Sequence, residues 1–320
     1  MLQEKITGPA NENVVLAAGE LTVTLMPHLG GKIASIRIGE RELLQAPLVP
    51  YGPRTQTMAF DEGDASGWDE CLPSVAACAV QLADGTSARI PDHGDLWRVQ
   101  WHSANASEGA LRGQCFSLPL DLVRGIAVSE TEAGWKLELR YTVTNTGIEA
   151  VPWSWAAHPL FVAEAGDRIY LPDTIKSLRL EGSGGNRLGK GGDSVSWPVA
   201  KLGSGGETNL SLAQSADSGI GDKLFAGPLG TTENWCALER PRAGVTIRVS
   251  FDSAATPFLG LWICYGGWPD CPGAKQACVA LEPSTAPVDS LAVSGPWSRT
   301  LAAGESFSWP MTVEIQSKQA

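Results

Sequence analysis

The stretch WKLELRYTVT, Trp135–Thr144, alternates apolar and polar side chains along its whole length. Successive side chains on an extended chain point to opposite faces, so this pattern predicts a strand with one buried face. Leu137, Leu139, Tyr141 and Val143 form the expected inward set, or the opposite face if the register differs. The same period recurs on both sides. LTVTLMP at Leu21–Pro27 alternates, KIASIRI follows Gly30 and Gly31, and Gly39-Glu40 then leads into RELLQ as a hairpin. A second hairpin is read in CAVQL-ADGT-SARI, where Asp84-Gly85 supplies a turn with positive φ at low steric cost.

Further strands are predicted at Trp153–Ala157, Trp235–Glu239, Val245–Phe251, Leu259–Tyr265, Cys278–Leu281 and Phe307–Ile315. Helical periodicity is almost absent, and 36 glycines and 21 prolines mark frequent turns. Many short strands joined by short loops predict an all-β fold, a large antiparallel β-sandwich. No repeat of about 20–50 residues points to a propeller or solenoid. Nothing marks a domain boundary, so residues 1–320 are expected to form a single domain. The glycine-rich segment Gly182–Gly206 reads either as a mobile loop over a site or as a long connection.

Composition narrows the partners. The formal net charge of -11 repels polyphosphate and anionic lipid, so neither nucleic acid nor a membrane surface is expected, and a neutral small molecule fits best. No run approaches about 18 consecutive apolar residues, which argues against a spanning helix. Met1–Ala10 lacks the apolar core of a secretion signal. Seven cysteines, an odd number without tight pairs, read as reduced thiols and suggest a cytoplasmic setting. Cys264, Cys271 and Cys278 fall seven apart, unlike the close pairs of structural zinc sites, so no metal is expected. Phosphate-loop, dinucleotide, nucleophile-elbow and HExxH patterns are all missing, and no cofactor is called for.

Four histidines can be weighed singly. His28 and His102 have no neighbours that would give an imidazole work, and read as structural or surface residues. His93 lies in PDHGDLW, where a proline and a glycine could hold the ring at a cleft. His158 lies in WSWAAHPLF, at the end of a strand rich in tryptophan. Glu282 closes the apolar run CVAL before Pro283; a carboxylate there, partly desolvated, becomes a better base near neutrality. Asp222 in SGIGDKLFAG reads by itself as a turn residue. The chain has 12 tryptophans, whose flat faces fill cores or stack on the C–H face of sugars. Trp68, which abuts Asp69 and Glu70 in what reads as a loop, GWDECLP, is the one best placed for ligand contact.

In this order, HG at His93–Gly94, HPLF at His158–Phe161, DKLF at Asp222–Phe225 and LEP at Leu281–Pro283 resemble the aldose 1-epimerase (galactose mutarotase) family, and GGKIASIRIGERELL is similar to its first hairpin. The resemblance runs from about Leu21 to Ile315. It implies a β-supersandwich with a sugar on its concave face and an isomerase that interconverts α and β anomers without a cofactor. Carried over by motif, Glu282 is the general base, His158 the general acid, protonated at the start. His93 binds the ring or anomeric oxygen and Asp222 the sugar hydroxyls. Ala157 and Leu160 stand where many members carry asparagine and tyrosine, the glycine-arginine motif is missing, and Glu282 is followed by Pro283-Ser284. Asp69 and Glu70 then offer other hydroxyl contacts, and Arg54 or Arg98 could clamp an anion, as in sugar-phosphate relatives. Three other readings stay open: a sugar-phosphate mutarotase, a non-catalytic sugar-binding protein, and a hydrolase or lyase pairing Asp69 with Glu282. The sequence sets no oligomeric state.

Overall fold

The computed structural model of the protein describes residues 12–105 and 109–317. The polar N-terminal stretch Met1–Ala10 lies outside the described residues. Among those described, the elements are β-strands and four short 3-10 turns, with no helix long and apolar enough to cross a membrane.

Two antiparallel sheets face each other. The eight-stranded one is centred on Ser306–Ser317 and Gly134–Asn145, with Val245–Phe251 and Leu120–Thr131 outside them. Its pairing resolves the register left open above: Leu137, Leu139, Tyr141 and Val143 are all buried. The eleven-stranded sheet runs, through its middle, Lys32–Ile38, Trp68–Cys71, Ala156–Val162, Ala277–Ser284, Phe258–Tyr265 and Ile220–Ala226. These middle strands are buried on both faces, so their sequences read as continuous apolar runs and not as alternation. Trp68–Cys71, expected as a loop, is also a strand of this sheet: its two acids, Asp69 and Glu70, mask it in the sequence although all four residues are buried.

Both predicted hairpins form. Arg37 pairs with Glu42 across Gly39, and Val80 pairs with Ala88 across a turn in which Gly85 has φ +82°. Gly182–Gly206 is a connection carrying structure of its own, with strands at Ser194–Ser196 and Val199–Lys201. All seven cysteines are free thiols; Cys264 and Cys278 are cross-strand neighbours.

Between the sheets, the apolar core encloses one ionic cluster. Arg124 reaches from the small sheet to Glu70 of the large one at 3.0 Å and also donates to the Gly31 carbonyl. Tyr141 and the Trp155 indole complete the carboxylate's partners at 3.1 and 3.0 Å. Tyr141 in turn stacks on Trp309 at 5.3 Å. Burial dominates here and pushes Glu70 up to about 7, against the opposing pull of Arg124 and the hydrogen bonds. Removing one partner of such a pair leaves an uncompensated buried charge. Arg124→Leu is therefore expected to lower the unfolding free energy by about 3–5 kcal/mol, with part of the loss recovered in the double variant Arg124→Leu/Glu70→Leu. Urea denaturation of the single and double variants checks this; equal losses in both would remove the argument.

Candidate active site

The sheet's alternation places a row of polar side chains on the face of the large sheet that points away from the small one. Asp69 is paired directly with His158. His158 lies midway between the pairs Ala156–Ser284 and Leu160–Ala280, which sets it opposite Glu282. Glu282 pairs in turn with Gly260, and Trp262, two residues on, pairs with Lys223. Gly260 carries no side chain here for a spatial reason: a Cβ would sit 3.1 Å from Glu282 Oε2 and 3.2 Å from the Phe225 ring. The gap lets the Lys223 ammonium cross to Glu282 Oε2.

A cavity opens over this row. It is lined by the rings of Phe60, Trp262 and Trp268 and by Asp92, His93, Gln276 and Asp289, with the strand residues His158 and Lys223 on its floor. Glu282 lies below that floor, fully buried. Its Oε1 has no hydrogen-bond partner and stands 4.0 Å from His158 Nε2. Lys223 also lies 3.4 Å from Asp289 Oδ1. Burial raises the pKa of Glu282, and the Lys223 ammonium opposes that rise.

His93 reaches the cavity from the loop between Pro91 and Gly94. Its φ of +58° and that of Gly94, +66°, turn the chain so that the ring lies flat on Phe60, centroids 3.7 Å apart. Asp92 accepts from His93 Nδ1 at 2.8 Å, which leaves Nε2 unclaimed. The His93 and His158 rings meet edge to face at 5.1 Å. Burial pushes His158 well below its ordinary pKa, helped by positive charge from His93, Lys223 and Lys32. The imidazole of the empty site is therefore neutral at neutral pH. This corrects the expectation of a protonated His158: the nearest carboxylate is already compensated by a lysine.

Glu282, His158 and His93 thus come together, whereas five other expected ligand residues do not line the cavity. Trp68 is fully buried in the core between the sheets, where no sugar can stack on it. Asp69 is on the cavity's side of the sheet but is buried against Lys32 at 2.6 Å, with Arg54 at 3.8 Å. Arg98 spends its guanidinium on backbone carbonyls: Met58 at 2.8 and 3.0 Å, Asp92 at 2.8 Å, and Gly94. It fastens the His93 loop to the Phe60 segment and does not border the cavity. Arg54 is likewise held, by Asp64 and the Leu29 and Trp97 carbonyls. Asp222 is buried against Ser183 at 2.6 Å and Arg187 at 2.6 and 2.9 Å, which pins the glycine-rich segment to the sheet.

The strand's period explains the last difference. Asp222 and Lys223 are neighbours, so only one can face the cavity, and it is Lys223. Sequence reading also missed Asp289, Phe60, Trp262, Trp268 and Gln276. Gln276 is fixed by the Trp262 indole at 2.9 Å and the Ala65 carbonyl at 3.1 Å. Alternation from Gly260 and Cys264 would have pointed to Trp262; the loop residues left no periodic signal.

The fold is that of the galactose mutarotase-like proteins. Similar solved structures include a provisionally assigned aldose 1-epimerase from Escherichia coli K12, at TM-score 0.67 and 16% identity over 96% of this chain and 99% of that one. A galactose mutarotase-like protein from Lactobacillus casei superposes at TM-score 0.63 and 17% identity over 95% and 100%. One from Clostridium acetobutylicum does so at 0.65 and 14% identity over 99% of each. No family model matches the sequence, and no curated protein does.

The turn that carries His93 has no room for a side chain. A Cβ on Gly94 would fall 2.2 Å from the Leu72 carbonyl oxygen, whereas one on Gly85, also at positive φ, would meet nothing. Gly94→Ala is expected to cost about 2–4 kcal/mol and Gly85→Ala only about 1 kcal/mol. Thermal or urea unfolding of the two variants decides it, since equal costs would mean the loop has space to relax.

Proposed function

We propose that the protein is an aldose 1-epimerase acting on an uncharged reducing sugar. The observation that carries this reading is a pair beneath the cavity: Glu282, buried, with one unpartnered oxygen, and His158 on the cavity floor with a ring nitrogen 4.0 Å from it. Anomer exchange needs a base for the C1 hydroxyl and an acid for the ring oxygen, and little else. The mutarotase-like fold of the neighbours agrees with it.

In the proposed reaction, the sugar stacks its C–H face on the aromatic wall formed by Phe60, Trp262 and Trp268. Its C1 hydroxyl enters between the His158 ring and the Lys223 ammonium, the two cavity-lining groups that flank Glu282. Glu282 accepts the hydroxyl proton while His158 delivers a proton to the ring oxygen, and the C1–O5 bond breaks to give the open-chain aldehyde. The imidazole must take up that proton as the sugar binds, because it is neutral in the empty site. His93, oriented by Asp92, offers Nε2 to a neighbouring oxygen. Rotation about C1–C2 presents the other carbonyl face, and the two groups return their protons on closure.

Charge favours a neutral substrate over a phosphorylated one. Glu282 and Asp289 both touch the Lys223 ammonium, and Asp92 adds a further carboxylate to the cavity lining. Arg54 and Arg98, the candidate phosphate clamps, are occupied by Asp64 and by backbone carbonyls.

Polarimetry tests the reading. Fresh α-anomers of a panel of free aldoses should lose optical rotation faster with protein than without, while hexose 6-phosphates show little or no acceleration. Glu282→Gln and His158→Ala should each lower the rate by about 10²–10⁴-fold with folding intact. A wild-type protein that accelerates no sugar in the panel would overturn the proposal, and one that binds sugar without exchange would identify a carbohydrate-binding protein instead.

A further inference from the structure

Several cations that meet buried carboxylates tie structural elements together. Lys32 is held by Asp64 and Asp69, Arg187 by Asp222, and Arg240 by Asp167. Lys223 differs, because it borders the cavity and its partners, Glu282 and Asp289, are the carboxylates nearest the proposed chemistry. The acid–base scheme above gives it no task.

The geometry suggests one. A carboxylate in a buried site has two oxygens and no preference between them unless a neighbour claims one. Lys223 claims Oε2 by reaching across Gly260, and Oε1 is left without a partner, facing His158 Nε2. The groove that permits this exists because position 260 has no side chain. On the far side the ammonium is shared with Asp289, whose Oδ1 has no hydrogen-bond partner. Lys223 therefore stands between two carboxylates, and each weakens its hold on the other.

We propose that Lys223 is a positioning residue for Glu282: it holds one carboxylate oxygen so that the other is presented, ionised, to the sugar, and Asp289 limits how strongly it pulls. This rests on the epimerase reading for its purpose, though the coupling itself does not. Six other groups bear on the same carboxylate. His158 lies on one neighbouring strand and Gly260 of the other neighbouring strand carries no charge. Cys71 approaches from the strand beyond His158, Cys278 from Glu282's own strand, and His93 from the loop above. Lys223 and Asp289 complete the set. Both thiols are pushed well up by burial and stay neutral, so the balance is set by the lysine, the aspartate and the histidines.

The sign follows from the charges. Burial favours a protonated Glu282; the ammonium favours the ionised form, and Asp289 opposes it through its own negative charge. Removing the lysine should raise the carboxyl's pKa, and removing the Asp289 charge should lower it. A base must be ionised to act, so the acidic limb of kcat/KM against pH should move up in Lys223→Met and down in Asp289→Asn, each by about one pH unit or more. Lys223→Met should also lose at least about tenfold in kcat near pH 7, and Lys223→Arg should restore most of it.

Two measurements on the full chain decide this. The first is the pH dependence of mutarotation for wild type, Lys223→Met, Lys223→Arg and Asp289→Asn, with near-UV circular dichroism as the check on folding. The second is a substrate-free titration of the Glu282 carboxyl by ¹³C NMR of glutamate-labelled protein, the signal assigned by its loss in Glu282→Gln. Opposite shifts in the lysine and aspartate variants are the expected result. Shifts in the same direction, or none, overturn the proposal, because a merely structural lysine would lower activity without moving the limb. If Lys223→Met does not fold, the downward shift in Asp289→Asn and the unshifted Lys223→Arg still decide it. Opposite carboxyl shifts in a wild-type protein that turns over no sugar would sink the epimerase reading and leave the coupling standing.

Discussion

A carboxylate with no exposed surface must be stabilised where it stands, and the arrangement around Glu282 follows from that constraint. Isolated, it would hold its proton and be a poor base; paired too tightly, it would be ionised but weakly basic. The large sheet answers with register. Four strands bring Asp69, His158, Glu282 and Lys223 onto one face, and each residue's place follows from pairing to the next strand. A slip by one residue in any of these pairs would turn that strand's contribution into the core. The site thus inherits its precision from the same backbone ladder that holds the sandwich together.

The opposite face of the same strands shows how close the two tasks lie. Trp68 and Glu70 alternate with Asp69, and point into the interior, where Glu70 meets Arg124, Tyr141 and Trp155. One short strand therefore supplies both the charged bolt between the sheets and a neighbour to the cavity row. His158 is affected on both counts, since Trp155 on its own chain segment is engaged with Glu70 while the Lys32–Asp69 pair lies beside the imidazole. Its neutrality is a consequence of crowding by positive charge and of burial together.

The fold was legible because its outer strands announce a period of two. WKLELRYTVT lies in a sheet with one face to solvent, so its inward and outward residues differ in kind. The central strands of the large sheet are covered on both faces and carry no such contrast, and Trp68–Cys71, masked by its two acids, could be read as a loop with an exposed tryptophan. In the site, Glu282, His158 and His93 were legible from short motifs at strand ends. Asp222 and Lys223 show where motif reading stops. The motif names a segment, but the choice between adjacent residues depends on which face the strand presents, and that is decided by the strands on either side, which pair Ser183 with Asp222 and Lys223 with Trp262. Phe60, Trp268 and Asp289 sit on irregular loops whose placement depends on long-range bonds, such as the Arg98 clamp on the Met58 carbonyl.

The departures from the mutarotase pattern take on a common sense in this light. Ala157 cannot contact a sugar from where it stands, since its side chain is in the core between the sheets, and Leu160 belongs to a small apolar cluster with Cys264, Cys278 and Ala280 beside the row. The polar groups that line the cavity lie elsewhere: at the far end of the row, where Lys223 and Asp289 face the cavity, and in the His93 loop, where Asp92 orients the ring. The strands that carry Glu282 and His158 are central and fixed by ladders on both sides. The loops around the cavity are not part of those ladders, whereas the Ile220–Ala226 strand bears on the pair through Lys223. Specificity for one sugar over another would accordingly be set at the cavity's edges, by groups such as Asp289 and Gln276, and not by the residues proposed to move protons.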